Sequence, residues 1–420
     1  VALGHADGRV SPLASVASIM PLDVQALRSL FPALARTVGG RPAAYLDGPA
    51  GTQVPQPVID AISAGLVEAS SNVGGAFAAS AASGRVVEAA RVAGADLLGA
   101  DPGEIVFGPN MTTLTFAFSR AVATEWRPGD RIVLSRLDHD ANVTPWARAA
   151  EERGVEVVFA DLHPGDVTLD LDHLESLLTD RTRLVAVTAC SNAIGSRVDV
   201  ARVAASARRV GALSFIDAVH LAPHARIDVR GLGCDALVCS AYKFFGPHVG
   251  LLWGRRDLLE RLPAYKVRPA PAEPPGKFET GTPSFALLAG VEAAVDYLAG
   301  LGEGADRRTR LDAAYEAITA REAALGRRFL AGLPAGVRVW GRPSMEGRVP
   351  TFAVEVAGLP SQEVAARLGD QGLFVWAGHY YAVEPMARLG LLERGGLTRI
   401  GFVHTTTEDE VDRLLEALSG

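Results

Sequence analysis

Cysteine is scarce. Three among 420 residues are too few for a disulfide framework, and Cys190, Cys234 and Cys239 lack the CxxC spacing of a zinc site. Each lies in or beside an apolar segment and reads as a buried small hydrophobe rather than a ligand or nucleophile. No apolar run approaches the ~20 residues of a membrane span. Positive charge is also short: 41 Lys and Arg against 48 Asp and Glu leave a net charge of −7. Neither nucleic acid nor an acidic membrane finds an electrostatic footprint in that balance. The segment from Val1 to about Ile19 lacks both a basic leader and a continuous apolar core, so it reads as a flexible arm rather than a signal peptide. A cytoplasmic protein is expected. No internal repeat and no heptad seam is present.

What is there is a globular enzyme's composition, 48% apolar and 21% charged, on a chain long enough for one large and one smaller domain. From about residue 100 to 255, β-rich runs alternate with helical periodicity. Ile132–Leu134, Val155–Ala160, Leu184–Ala189, Ala212–Ile216, Ala236–Cys239 and Val249–Trp253 read as strands, and Val198–Val210 as an amphipathic helix. That alternation predicts an α/β fold with a largely parallel sheet, whose ligands bind at the carboxyl ends of the strands. A Pro-rich stretch at Arg268–Gly276, then helical runs at Leu287–Leu301 and from Ala305 to about Leu330, mark a boundary. Beyond it, strands near Val337–Trp340, Thr351–Val356, Leu373–Trp376 and Thr398–Val403, with helices at Glu363–Gly369 and Glu408–Leu418, suit a compact α+β unit. The expected division is an N-terminal arm over 1–44 packing on the small domain, a large domain over 45–300 and a small domain over 301–420.

Four segments place polar groups where such a sheet would use them. Ser240-Ala-Tyr242-Lys243 follows a buried strand. A lysine there, neutralised by desolvation, can form an imine with an aldehyde cofactor, whereas taken alone it is a lysine snorkelling from a strand end. Asp217 directly follows the apolar strand Leu-Ser-Phe-Ile and needs a partner, either a cofactor's ring nitrogen or the next turn's amides. Thr112 and Thr113 open an apolar helical run, as a phosphate cradle or as simple caps. His139 follows a strand and could lie flat on an aromatic cofactor or face solvent.

Together these residues resemble the class V aminotransferase family, in its cysteine-desulfurase-like branch. The marks are Asp217-Ala-Val-His220, Ser240-Ala-Tyr-Lys243, His139-Asp-Ala-Asn-Val-Thr-Pro-Trp146 and Phe278-Glu-Thr-Gly-Thr-Pro283, and the likeness runs from Tyr45 to the C-terminus. The resemblance implies the pyridoxal 5′-phosphate (PLP)-dependent transferase type I fold, a large domain with a mostly parallel seven-stranded sheet, an amino-acid substrate and a homodimer. It makes Lys243 the Schiff-base lysine and proton shuttle, pairs Asp217 with the pyridine nitrogen and stacks His139 on the ring. His220 stands where the family bonds the phenolic oxygen, usually through Gln. Thr112 or Thr113, Ser240 and Tyr242 match phosphate contacts, with Tyr242 replacing the commoner His. Asn192 matches a residue beside cofactor and substrate carboxylate, Thr282 one that reaches the partner subunit's phosphate, and Arg399 the arginine that binds the α-carboxylate.

The departures point to the reaction. Desulfurases of this branch carry a nucleophilic cysteine on a loop after an Arg-x-Gly-His-His-like stretch. Here that run is Val375-Trp376-Ala-Gly-His379-Tyr380-Tyr381, with tyrosine in the cysteine's place. Gly74-Gly75 likewise stands where many desulfurases have His-Arg. The expected chemistry is β-elimination from an S-substituted cysteine, with Trp376, His379, Tyr380 and Tyr381 shaping the leaving-group pocket. Transamination, decarboxylation, epimerisation and desulfurase-like sulfur transfer stay open, because PLP supports them all. No metal role is expected.

Overall fold

The computed structural model describes residues 22–419. Residues 1–21 of the expected arm lie outside that range. The alternating segments build a seven-stranded sheet. In chain order its strands are β1 (Ile105–Gly108), β2 (Arg131–Ser135), β3 (Glu156–Ala160), β4 (Thr182–Thr188), β5 (Leu213–Asp217), β6 (Ala236–Ser240) and β7 (Gly250–Gly254). Across the sheet they lie β1-β7-β6-β5-β4-β2-β3. Only β7 runs against its neighbours. The central strands are largely apolar because both faces are covered: Val185 and Val187 of β4 enter one core, Leu184 and Ala186 the other.

Parallel strands joined by helices leave their carboxyl ends at one edge, and the polar residues gather there. Asp217 ends β5, Ser240 ends β6, Ser135 of β2 leads to His139, and Thr188 of β4 leads to Asn192. Gly250 opens β7 at the same edge. A Cβ on Gly250 would stand 2.4 Å from the Asn110 carbonyl carbon, so glycine lets this strand pass under the start of helix α1 (Met111–Val122).

A second, antiparallel sheet holds β8 (Val337–Trp340), β9 (Thr351–Val356), β10 (Trp376–Gly378) and β11 (Leu397–Gly401) in the order β8-β9-β11-β10. Phe329, Phe352 and Phe402 pack its core with ring centroids 4.7, 5.5 and 5.7 Å apart. The strand expected over Leu373–Trp376 divides in two. Leu373–Phe374 pairs in parallel with Ala44–Tyr45, and Trp376–Gly378 pairs with β11. Arg28, ahead of both, reaches the Glu410 carboxylate at 2.9 Å.

The two sheets are fastened beside the strand ends. Ser196 and Arg348 form an isolated β-bridge, the Val349 N–H donates to Gly195 O at 2.9 Å, and the Arg348 guanidinium donates to Ile194 O at 2.8 Å. Among the described residues no helix is long and apolar enough to cross a membrane.

Gly250→Ala is expected to cost about 1–3 kcal/mol of stability through overpacking, read as a lower urea midpoint at unchanged slope. A wild-type midpoint would remove this close approach from the account.

Candidate active site

Lys243 ends a short 3₁₀ turn, Ala241–Lys243, after β6 and lines a cavity of about 590 Å³. Its ammonium donates to the Pro49 carbonyl and lies 4.9 Å from the centroid of the Tyr242 ring. Burial, reinforced by the Arg399 guanidinium, pushes its pKa down to about 7. Near neutrality much of this amine is therefore uncharged and nucleophilic. On the adjacent strand, Asp217 is 4% exposed, and its Oδ1 accepts the Val219 N–H at 2.9 Å. Burial pushes its pKa up to about 6 against the pull of that N–H and of Lys243. A carboxylate so poorly solvated is best satisfied by a cation or N–H entering the cavity.

His139 supplies a flat wall. Its Nδ1 accepts the Ala141 N–H at 3.0 Å, which fixes the ring and leaves the neutral tautomer's proton on Nε2. Burial first, then Lys243 and Arg399, push its pKa down to about 4, so the ring stays neutral. Behind it lies a buried network that the sequence reading did not single out. Asp138 accepts from the Ser135 hydroxyl and from Asn142 Nδ2 at 2.7 Å, while Trp146 Nε1 donates to Asn142 Oδ1 at 3.0 Å. Burial pushes the Asp138 pKa up to about 8, with the Asp217 charge adding to the rise. An acid immediately before His139 was the available signal.

The second sheet supplies the opposite wall. Arg399 on β11 is 4% exposed; its Nη1 donates to Asn192 O at 3.0 Å, and its Cζ lies 4.5 Å from the Tyr380 ring centroid. Burial lowers its pKa to about 10. Asn192 Nδ2 donates to Tyr380 O at 2.9 Å. Two buried polar atoms at this wall, Asn192 Oδ1 and Arg399 Nε, have no partner among the described residues. His220 Nε2 lies 2.9 Å from Thr351 Oγ1 of β9, and burial holds its imidazole well below the usual range.

At the far end the cavity meets the start of α1. Ser240 Oγ accepts the Met111 N–H at 3.1 Å, Thr112 lines the cavity, and Tyr242 stacks on His248 with centroids 4.6 Å apart. Helix amides and hydroxyls so arranged suit a phosphate.

The structure brings together Lys243, Asp217, His139, His220, Asn192, Thr112, Ser240, Tyr242, Arg399, Trp376 and Tyr381. It leaves three expected residues off the cavity wall. Thr113 is exposed and bonds back to Asn110 Oδ1 at 3.1 Å as part of the helix cap. His379 is exposed and turns its Nδ1 to the Tyr381 N–H at 3.1 Å. Thr282 is exposed elsewhere on the surface. Phe116, Asp140, Thr144 and Cys190 also line the cavity; sequence reasoning gave them no place in the site, although Asp140 and Thr144 lie inside the His139–Trp146 motif.

These residues fit PLP on the evidence of the cavity itself: a neutralisable lysine, a buried carboxyl opposite it, a fixed neutral ring, a helix start, and orphaned polar atoms beside an arginine. Fold and site together define a PLP-dependent enzyme of fold type I. Residues 44–414 match the family model described as aminotransferase class-V. A probable cysteine desulfurase 2 from Mycobacterium leprae (strain TN) is 33% identical over 422 residues, covering 95% of this chain and 96% of that protein. A cysteine desulfurase from Serratia proteamaculans (strain 568) is 32% identical over 417 residues, covering 95% and 98%. Among solved structures, the cysteine desulfurase CsdA from Escherichia coli superposes with a TM-score of 0.81 at 28% identity, over 94% of this chain and 97% of that one. The chain belongs to the class V aminotransferase family and is a cysteine-desulfurase-like PLP enzyme.

Because Lys243 carries a lowered pKa, its labelling by an amine reagent in the apo protein should rise with pH and level off above about 7. An exposed lysine would keep gaining reactivity toward pH ~10.4. Peptide-resolved labelling checks this, and a Lys243 rate that still climbs above pH 9 would contradict it.

Proposed function

We propose that this enzyme is a C–S lyase, splitting an S-substituted L-cysteine, as a thioether or sulfoxide conjugate, into a thiol or sulfenate, pyruvate and ammonia. Tyr381 carries the reading. It occupies the place of the desulfurase cysteine in the family resemblance, lines the cavity and is 67% exposed. A phenol cannot hold sulfane sulfur as a persulfide. Cys234 and Cys239 are buried away from the cavity. Cys190 lines it, but its thiol faces Gly195 O at 3.4 Å and burial pushes its pKa up to about 12, so thiolate is scarce at neutral pH.

When bound, PLP supplies the electron sink that makes an amino acid's Cα proton acidic. The protein's own groups do the rest. Neutral Lys243 serves as the base that takes the Cα proton. Asp217 holds positive charge at the ring nitrogen, Thr112, Ser240 and Tyr242 hold the phosphate, and His220 takes the phenolic oxygen. Arg399 grips the α-carboxylate, with Asn192 Oδ1 accepting a neighbouring N–H or O–H. The Tyr380 hydroxyl is committed to Leu397 O, which leaves the Tyr381 hydroxyl as the donor that protonates the departing sulfur. His379 and Trp376 border that loop. Water then completes the hydrolysis, so one conjugate and one water give one thiol, one pyruvate and one ammonia.

A second reading, sulfur transfer from free cysteine, is favoured by the names of the relatives and would have to use Cys190. We also place the enzyme in the cytoplasm as a homodimer in which Thr282 reaches the partner's phosphate. The exposed Tyr265 and Val267, 55% and 68% accessible, share a surface cleft with Thr280 and Gly281, and support a contact there.

The holoenzyme is expected to release pyruvate, ammonia and thiol in equal amounts from S-alkyl cysteines, with sulfenate in place of thiol from their sulfoxides, and Tyr381→Phe to slow that release ~10²-fold or more. Sulfide from free cysteine with a persulfide on Cys190, abolished by Cys190→Ser, would overturn the lyase reading. Amino transfer to a 2-oxo acid, or carbon dioxide release, would also overturn it.

A further inference from the structure

Around Tyr381, the cavity mouth carries groups that the reaction does not use. Trp376 on edge strand β10 pairs directly with Arg399 on β11, so the two side chains share a sheet face. Arg399 is buried at 4% while Trp376 is 53% exposed. The indole therefore stands next to the carboxylate grip, on the solvent side. Five residues on, Tyr381 reaches the same cavity by an unusual backbone. Tyr380 and Tyr381 take left-handed φ values of 54° and 57°, each costing roughly 1–2 kcal/mol for a non-glycine residue. Hydrogen bonds hold them there: Asn192 Nδ2 to Tyr380 O at 2.9 Å, and the Asp140 N–H to Tyr381 O at 2.7 Å. Strain kept by such bonds at a cavity wall marks a placed side chain.

The same contact brings in Asp140, which lines the cavity. Its carboxylate accepts from the Thr144 hydroxyl at 2.8 Å, and among the described residues no lysine or arginine pairs with it. The cavity's own cations, Lys243 and Arg399, are already assigned. An indole, a phenol and a carboxylate without a counter-ion, around one opening, make a receptor for a cation. An anionic terminus would meet Asp140, and a neutral one would forgo both attractions.

We propose that this enzyme selects amino acids whose side chain ends in a positive charge, an amine or quaternary ammonium, bound among Trp376, Tyr381 and Asp140. This deepens the lyase reading and rests on Arg399 taking the α-carboxylate. The positive terminus would then belong to the group released with the sulfur.

Matched analogues without a β-leaving group separate binding from elimination. The holoenzyme is titrated with lysine, N-trimethyllysine, norleucine and 2-aminoadipate, following the absorbance change of its bound cofactor. Lysine and trimethyllysine are expected to bind about three- to thirtyfold tighter than norleucine, with aminoadipate weakest. Asp140→Asn and, separately, Trp376→Leu should pull the lysine-to-norleucine ratio toward one. Equal affinities in the wild type, or a ratio untouched by both variants, would overturn the proposal. A cation preference in this titration with no thiol released from S-(2-aminoethyl)cysteine would support the pocket and sink the lyase. Elimination from S-alkyl cysteines regardless of charge would do the reverse.

Discussion

Lys243 and Asp217 stand at the ends of adjacent strands, β6 and β5, and face one desolvated cavity. Poor hydration draws both toward neutrality: burial pushes the amine's pKa down to about 7 and the carboxyl's up to about 6. Their mutual attraction opposes desolvation in both, which is why neither shift runs further. Near neutrality the pair can be charged or neutral at small cost. That poise suits a lysine that must act as nucleophile, base and acid in turn. The rest of the site holds this pair in place. His139 stays a neutral wall because burial, then Lys243 and Arg399, push its pKa down to about 4, and the Ala141 N–H fixes the ring. Asp138, raised to about 8, withholds a second negative charge from the neighbourhood of Asp217.

The second sheet completes what the first cannot. Arg399 and Trp376 come from it, Tyr380–Tyr381 from the turn that follows β10, and the His220–Thr351 contact joins the two sheets at the cavity. The fastening at Gly195 explains how Arg399 can be precisely aimed from another sheet. A Cβ on Gly195 would sit 2.6 Å from Thr351 O, and its φ of 84° suits glycine alone. The loop that bears Asn192 and the strand opposite therefore meet backbone to backbone, with little freedom between them.

Much of this was legible in the sequence, for local reasons. Thr351–Val356 was read to the residue as β9, and the inner strands of the large sheet to within two residues, because strands buried on both faces advertise themselves as apolar runs. Lys243, Asp217 and His139 could be picked out because each is a polar residue just beyond such a run. What escaped notice depends on distant partners. Strand β1, only four residues long, exists through its pairing with β7. Glu279, inside a stretch that resembles a cofactor motif, instead anchors that stretch, accepting from Arg91 at 2.6 Å and from the Phe107 N–H at 2.8 Å. The choice of Thr112 over Thr113 is set by the helical phase of α1, and that of Tyr381 over His379 by two left-handed residues. Asp140 gained meaning only when folding placed it beside Tyr381.

The chain has three lysines, Lys243, Lys266 and Lys277, and the last two spend their ammonium groups on backbone carbonyls. The central claim therefore has a direct measurement. The protein is incubated with pyridoxal 5′-phosphate, reduced with borohydride, digested and mapped by mass spectrometry. One stable adduct on Lys243, lost in Lys243→Ala, is the predicted result; an adduct on Lys266 or Lys277 that matches or exceeds it, or none at all, would contradict the account.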